Sequence, residues 1–255
     1  MDSSIFSSLD AAIAIVPEQF KEESLKNKEI FEKFSPLFDD DMWKQQFESD
    51  DKTVYSYYAK SDEGKLMAKG VATFPFKAEK VLNYARKLEN RPLYDEHHME
   101  GKIIDKHEDT ENKCEFYKFY SKRGNVKLVD PRDFVVASTS FRVGDCIYSM
   151  VHSTTHPDYP EVKGVVRADV EFYIWKFEPG EGGKGCRVSR IFRADPKGSL
   201  PDFVKDLVIK RSGHELYDMR KSMLDWLILN NEKNWRLLDN QNLDFFKGLA
   251  FSSIY

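Results

Sequence analysis

The most constraining feature of the sequence is a series of six strand-like segments that ends in one long helical segment. The strand-like segments are rich in β-branched and aromatic residues: KIIDKHED, CEFYKFYSK, DFVVASTSFRV, CIYSMVHSTT, GVVRADVEFYIWKF and CRVSRIFRA. Several connections between them, TENK, VGD and GEGGKG, are short, which favours an antiparallel meander. Apolar residues then recur at helical spacing from Leu200 to about Leu229. This order predicts a large sheet with one long helix packed on it.

The first part of the chain alternates between helical and strand-like patterns. Residues 17–34 predict a helix that begins at Pro17, and DDDMWKQQFE predicts a second, short helix. TVYSYYAK and KLMAKGVATFPF predict two strands, and KAEKVLNYARKLENRPLYDEH predicts a helix that Pro92 interrupts. The whole order predicts one α+β domain over residues 17–229, with an N-terminal segment 1–16 and a C-terminal extension 230–255.

Composition and charge exclude several classes of protein. The formal net charge of -4 leaves no basic footprint for nucleic acid, so no nucleic-acid partner is predicted. Three widely separated cysteines, Cys114, Cys146 and Cys186, suit a reducing compartment. The apolar run AAIAIV follows acidic residues rather than basic ones, and no run reaches the length of a membrane span. We therefore expect a cytoplasmic protein.

Motifs for catalysis or cofactor binding are incomplete. GEGGKG matches G-x-G-x-x-G, but a strand follows it rather than a helix, so we interpret it as a hairpin turn. His152 and His156 have no set of further ligands at metal-binding spacing, and no G-x-S-x-G element occurs. We predict no enzyme activity, no metal and no cofactor, with an active site assembled through space as the remaining alternative.

Two pairs of charged residues stand at the borders of apolar segments. Arg132 and Asp133 open the strand DFVV, and Arg91 and Asp95 occur in ENRPLYDEH. A buried charge costs several kcal/mol unless it is paired or hydrogen-bonded. We therefore predict that Arg132 and Asp133 form a structural ion pair at the entrance of their strand.

Three motifs in this order carry a resemblance to a known family. LVDPRDFVVAS, GVVRAD and RADPKGSLPDFVKDLV resemble the START family, the lipid-transfer domains related to the steroidogenic acute regulatory protein, from about Phe20 to Leu229. The resemblance implies a helix-grip fold, in which a curved antiparallel sheet wraps around the long C-terminal helix and leaves an internal apolar tunnel for one lipid. It also implies that Arg132, Asp133, Arg167 and Asp195 are structural charges.

The pattern is nearest to the phosphatidylcholine transfer type of the family. RPLYD resembles the R-x-x-W-D element of that type, which implies that Arg91 binds a lipid phosphate and Asp95 orients it, with Tyr94 in place of the tryptophan. The positions that match its choline cage are Tyr117, Phe134, Glu171 and Tyr173. Strand alternation puts Glu171 and Tyr173 on one face. A phospholipid such as phosphatidylcholine is the expected ligand, and a sterol, ceramide or other lipid remains open.

The same resemblance implies a gated tunnel. We expect its lining to include Phe119, Trp175, Phe203 and Leu207. The gate is expected to be the C-terminal helix together with the 122–131 loop, which exposes Val126, Leu128 and Val129 among basic residues and suits transient membrane contact. The extension 230–255 either packs on the domain or binds a protein partner or membrane. A lipid-sensing regulatory module is the alternative function.

Overall fold

The structure is a computed structural model that describes residues 3–111, 114–127, 129–180, 182, 184–198 and 200–230. The extension 231–255 therefore lies outside the described residues, as does Leu128 of the 122–131 loop. The elements in chain order are α1 (Ser3–Ile15), α2 (Glu18–Phe34), a 3-10 helix (Ser35–Asp39), β1 (Lys44–Glu48), β2 (Val54–Lys60), β3 (Leu66–Phe74), α3 (Ala78–Arg86), a second 3-10 helix (Leu88–Leu93), β4 (His98–Asp109), β5 (Cys114–Arg123), β6 (Arg132–Val143), β7 (Cys146–Ser153), β8 (Val166–Arg167), β9 (Asp169–Pro179), β10 (Cys186–Asp195) and α4 (Asp202–Asn230).

The strands form one sheet in the order β1-β2-β3-β10-β9-β7-β6-β5-β4, and the short β8 pairs with β6. Neighbours along this path are antiparallel, whereas β8 runs parallel to β6. The last strand, β10, pairs with β3, so that the first hairpin is joined to the late strands. The result is an open antiparallel sheet with a long C-terminal helix, the helix-grip arrangement that the resemblance implies.

Helices cover both faces of this sheet. On the outer face, which α1 and α2 cover, Phe31 packs edge-on to Phe141 at 5.6 Å and Phe34 stacks on Phe172 at 4.1 Å between ring centroids. On the inner face, which α3 and α4 cover, Leu216 and Met219 of α4 are buried in a core with residues of β3, β9 and β10. The helix α4 packs against β1, β2 and β3.

Most sequence predictions of secondary structure are confirmed, and two need revision. The helix predicted over residues 17–34 is α2, and the strands predicted after residue 102 are β4 to β10. The predicted short helix at DDDMWKQQFE is wrong, because Lys44–Glu48 pairs with β2 as strand β1. The segment 1–16, placed outside the domain by the sequence, contains α1, whose Leu9 and Ile13 are buried in the same outer core as α2.

The glycine-rich segment GEGGKG is the turn between β9 and β10, which confirms the hairpin interpretation. The amide of Gly180 donates to the carbonyl of Gly185 at 3.1 Å. Gly185 has a φ of 66°, and a Cβ at this position would lie 2.3 Å from the carbonyl oxygen of Phe74. Only glycine meets both demands, the left-handed backbone and the close approach of β3.

Candidate functional site

Strand alternation fixes which side chains of the late strands face inward. On β5, Phe116 lies 6.3 Å from the ring of Phe20 in α2, and Lys118 pairs with Glu23 of α2 at 2.6 Å. These even-numbered residues therefore face outward, and Phe119 and Arg123 face inward. On β6, Thr139 accepts a hydrogen bond from Asn27 of α2 at 2.9 Å and therefore faces outward. By alternation, the even-numbered side chains of β6, which include Phe134 and Ser138, face inward.

An aromatic wall runs along the inner face of β9. The rings of Tyr173 and Trp175 are stacked with centroids 5.2 Å apart, and Trp175 and Phe177 are stacked at 5.7 Å. Trp175 is therefore on the face where the sequence analysis expected it to line a tunnel. The guanidinium of Arg190, opposite Trp175 on β10, lies 5.1 Å from the Trp175 ring centroid.

A charge cluster lies beside the Tyr173 end of this wall. Arg190 donates to the Tyr173 hydroxyl at 2.7 Å, and its Nη1 is 3.3 Å from a carboxylate oxygen of Glu215 in α4. Arg91 donates to the other oxygen of Glu215 at 3.0 Å. Arg123, at the end of β5, pairs with the buried Asp95 at 2.7 Å.

The cluster carries more positive than negative charge. Among the described residues, it contains the three guanidinium groups of Arg91, Arg123 and Arg190 against the carboxylates of Asp95 and Glu215. Burial alone would raise the pKa of Glu215, but the three arginines outweigh it and hold this pKa well below its usual range. Three guanidinium groups and two carboxylates give the cluster a formal excess of one positive charge.

The three arginines of the cluster differ in how accessible they are. The side chain of Arg190 is fully buried, whereas 22% of Arg91 and 37% of Arg123 remains accessible. Burial is nevertheless the largest influence on the pKa of Arg91 and on that of Arg123. For both, opposing charges outweigh burial and raise the pKa.

Arg91 and Asp95 belong to one cluster but do not contact each other as expected. Their turn is closed by the backbone, where the amide of Asp95 donates to the carbonyl of Arg91 at 2.8 Å. The Arg91 side chain turns to Glu215, and Asp95 holds Arg123 and the amide of His97. Tyr94, buried in this turn, lies 5.6 Å from the Arg91 guanidinium.

The four predicted choline-cage residues do not converge. Tyr173 is in the cluster, and Phe134 is on the same inner face. Glu171 instead pairs with Arg193, which lies 5.4 Å from the ring of Phe34 on the outer face, because a bulge between β9 and β10 breaks the alternation here. Tyr117 faces inward but is six residues from Arg123, roughly 20 Å along β5.

Only some of the residues predicted to line the tunnel lie on the inner face. Phe119 and Trp175 lie on the inner face, as the alternation above requires. Phe203 is 61% exposed, which corrects the prediction that it lines a tunnel. Its neighbour Val204 is buried instead, because successive helical residues point about 100° apart. The side chain of Leu207 lies outside the described residues.

The predicted ion pair between Arg132 and Asp133 is wrong, since neighbours in a strand point to opposite faces. Asp133 is buried and accepts two hydrogen bonds from Arg167, at 2.8 and 2.9 Å. Arg132 donates to the carbonyls of Pro196 and Lys197, each at 3.3 Å. Asp195 accepts from the amide of Lys197 at 2.9 Å. These charges therefore tie the β10–α4 turn to the start of β6.

The 122–131 loop is less exposed than the sequence suggested. Val126 and Val129 are half-buried, and the amide of Val129 donates to the carbonyl of Val126 at 3.1 Å. Asn125 donates to the carbonyl of Glu96 at 3.3 Å, and Gly124 to that of His97 at 2.8 Å. The loop is therefore anchored to the segment before β4, next to the charge cluster.

Arg123, Arg190 and Glu215 belong to the site but are not predicted from the sequence. A signal was present, because Arg190 shares its strand face with Val188 and Phe192, and Glu215 directly precedes the buried Leu216 in α4. A charge at such an apolar position demands a buried partner. The sequence alone does not identify that partner, because the three residues come from β5, β10 and α4.

The two histidines considered for metal binding serve other roles. His152 is buried, and its Nδ1 lies 2.9 Å from Oδ1 of Asn27, while His156 lies 3.7 Å from Asp105. In the described part of the chain, no three His, Cys, Asp or Glu side chains are grouped so as to hold a metal ion. No helix within the same residues is long and apolar enough to cross a membrane.

Comparison with curated proteins gives a short but clear match. The chain is 33% identical over 78 residues to START domain-containing protein 10 of Mus musculus and of Homo sapiens. The match covers 31% of this chain and 26% of each relative, so it spans about a quarter of their length.

Solved structures share the fold over a larger part of the chain. Human StAR-related lipid transfer protein 5 has a TM-score of 0.70 at 23% identity and is similar over 81% of this chain and 99% of its own. Human STARD10 has a TM-score of 0.66 at 20% identity, over 84% of this chain and 82% of its own. The family model for the START domain matches residues 27–225, which is most of the chain. The chain therefore belongs to the START domain family.

Proposed function

We propose that this chain binds one phospholipid, phosphatidylcholine foremost, and carries it between membranes. START domains are lipid-binding and lipid-transfer domains. The observation that carries the phospholipid assignment is the inward-facing charge cluster, in which three guanidinium groups meet two carboxylates beside an aromatic wall. The proposal assigns the chain no catalytic reaction.

The chemistry of the cluster suits a phosphate group. Guanidinium groups form short, charge-assisted hydrogen bonds to phosphate oxygens, often two at a time. A phosphodiester carries one negative charge, which equals the excess positive charge of the cluster. Arg91 and Arg123 keep accessible surface for this contact, whereas the fully buried Arg190 supports it from behind.

The rest of the lipid has suitable surroundings on the inner face. Each buried CH2 of an acyl chain contributes about 0.8 kcal/mol, and Phe119, Val136 and Trp175 offer apolar surface for it. A quaternary ammonium gains roughly 1–2 kcal/mol over an aromatic ring, which Tyr173 and Phe134 provide. The proposal requires an apolar tunnel between the sheet and α4, opened by α4 and the 122–131 loop.

Membrane contact is proposed for the end of the molecule that holds this loop. Phe203, at the start of α4, is 61% exposed, and Met99, which lies beside Gly124 and Pro131, is 48% exposed. Exposed apolar side chains near basic residues favour transient contact with a bilayer surface. We therefore propose a cytoplasmic protein that associates with membranes transiently.

Transfer of labelled phosphatidylcholine between donor and acceptor vesicles tests this function. We expect the full chain to accelerate transfer and Arg91→Ala to reduce it about tenfold or more, because a charge-assisted contact is lost. Arg187→Ala is the matched control, since Arg187 is an exposed residue of the same strand as Arg190. Native mass spectrometry of the purified protein identifies the bound lipid.

Three outcomes would contradict the proposal. A chain that extracts no phospholipid is not a phospholipid carrier. A folded Arg91→Ala variant with unchanged phosphatidylcholine affinity rules out the phosphate role of Arg91. Binding without transfer supports the lipid-sensing module instead.

A further inference from the structure

Glu215 is the only carboxylate among the described residues that bridges two arginines of the charge cluster. One oxygen accepts from Arg91 at 3.0 Å, and the other lies 3.3 Å from Nη1 of Arg190. The second carboxylate, Asp95, is engaged elsewhere, with Arg123 and the amide of His97. The carboxylate of Glu215 therefore neutralises part of the positive charge of the arginines. Without it, a second negative charge on a ligand could do the same.

The charge of the cluster depends on this one side chain. With Glu215 ionised, the cluster has an excess of one positive charge, and without it the excess would be two. Like charges held close together repel each other, so a site favours ligands whose charge complements its own. The carboxylate of Glu215 therefore restricts the charge of any anion bound beside it.

We propose that Glu215 sets the charge of the head group, so that lipids with a phosphodiester are bound in preference to lipids with a phosphomonoester. This inference rests on the proposed function, because it concerns the same site. A phosphodiester carries one negative charge, whereas a phosphomonoester carries about 1.5 to 2 negative charges at pH 7. The additional charge would stand against the Glu215 carboxylate.

The sharpest test compares two lipids that differ in charge but hardly in size. Phosphatidic acid has a phosphomonoester, and phosphatidylmethanol is its methyl phosphodiester. The full chain is incubated with vesicles that contain both in equal amounts, together with phosphatidylcholine, and the lipids bound to the re-isolated protein are quantified by mass spectrometry. We expect the unmodified chain to prefer phosphatidylmethanol to phosphatidic acid by about tenfold.

Variants then assign the preference to Glu215. Glu215→Gln keeps the shape of the side chain but removes its charge, so the ratio is expected to shift about tenfold towards phosphatidic acid. Glu215→Asp keeps the charge and should retain the preference. Asp218→Asn is the matched control, because it removes one negative charge from the same helix, near Arg211 and His214 rather than the cluster.

The outcomes separate this inference from the proposed function. If the unmodified chain binds phosphatidylcholine but takes phosphatidic acid as well as phosphatidylmethanol, the inference is wrong and the proposed function stands. A folded Glu215→Gln variant with an unchanged ratio also overturns it. If the unmodified chain extracts none of the three lipids, both fail. If Glu215→Gln does not fold, the absence of a preference in the unmodified chain still overturns the inference, and Glu215→Asp still tests whether the charge at this position preserves it.

Discussion

The guanidinium of Arg167 donates to both carboxylate oxygens of Asp133, at 2.8 and 2.9 Å, although the residues are 34 positions apart. Asp133 is the second residue of β6, and Arg167 is in β8, which pairs with β6. Arg167 also donates to the carbonyl of Tyr159 at 3.1 Å. These hydrogen bonds of Arg167 attach the segment between β7 and β9 to the sheet.

Removing one partner of this pair should destabilise the fold. We expect Asp133→Ala to lower the free energy of unfolding by about 3 kcal/mol, because Arg167 is left as an uncompensated, largely buried charge. Chemical denaturation measures the effect, and the double variant Asp133→Ala with Arg167→Ala should lose less than the sum of the two single variants. Arg142→Ala, which breaks a more exposed pair with Glu79, should cost less than 1 kcal/mol and serves as control. Equal losses from the buried and the exposed pair would contradict the prediction.

The turn before α4 should tolerate asparagine better than alanine at Gly198. This glycine has a φ of 70°, and a Cβ there would meet only Nη2 of Arg132, at 3.7 Å. Since space is not limiting, the cost comes from the left-handed backbone, and Gly198→Ala should lower the free energy of unfolding by about 1 kcal/mol. Gly198→Asn should cost clearly less, because asparagine adopts this conformation more readily. Thermal unfolding of both variants checks the order, and a more stable Ala variant would refute it.

His152 should make the fold less stable in mild acid. Burial, reinforced by Lys26, lowers the pKa of His152 to about 4, below the value near 6.5 of an unfolded chain. Between these two values the unfolded chain binds more protons, so stability falls as the pH drops from about 6.5 towards 4. We expect His152 to account for a loss of about 2 kcal/mol between pH 7 and pH 5.

Denaturation at pH 7 and pH 5 measures this loss. His152→Gln should reduce the pH dependence of the free energy of unfolding. A His152→Gln variant with the full pH dependence of the unmodified chain would show that another group is responsible.

Phe203 should contribute to membrane contact rather than to stability. Because its side chain is 61% exposed, Phe203→Ser should change the unfolding free energy by less than about 0.5 kcal/mol. The same variant should bind vesicles several-fold more weakly, because an apolar anchor is lost. Vesicle sedimentation compares it with Leu25→Ser, which alters an apolar side chain on α2 that is 47% exposed. Equal vesicle binding by the unmodified chain and Phe203→Ser would remove Phe203 from the contact surface.

Local patterns predict most of the elements of this fold. Alternation and helical spacing are properties of short segments, so α2, α4 and the late strands follow from the sequence. Strand β1 does not, because Lys44–Glu48 has only five residues and is defined by its pairing with β2. The sequence pattern is weak there, and the tertiary contact decides.

The site could be predicted only in part, for a related reason. RPLYD identifies Arg91 and Asp95 as unusual, but the partner of Arg91 is 124 positions away in α4. Glu171 illustrates the opposite problem, since strict alternation puts it beside Tyr173. At a bulge between β9 and β10, however, the Glu171 side chain pairs with Arg193 instead. Pairings and irregularities of this kind arise from the packed sheet rather than from any one strand.

The pairing of β3 with β10 has a consequence for how the chain folds during synthesis. Phe74 pairs with Cys186, so about 110 residues must be made before β3 acquires its second neighbour. At the usual rate of 5–20 residues per second, β3 remains an unpaired edge for roughly ten seconds. We therefore expect β1–β3 to be the segment most in need of chaperone protection while the nascent chain is incomplete.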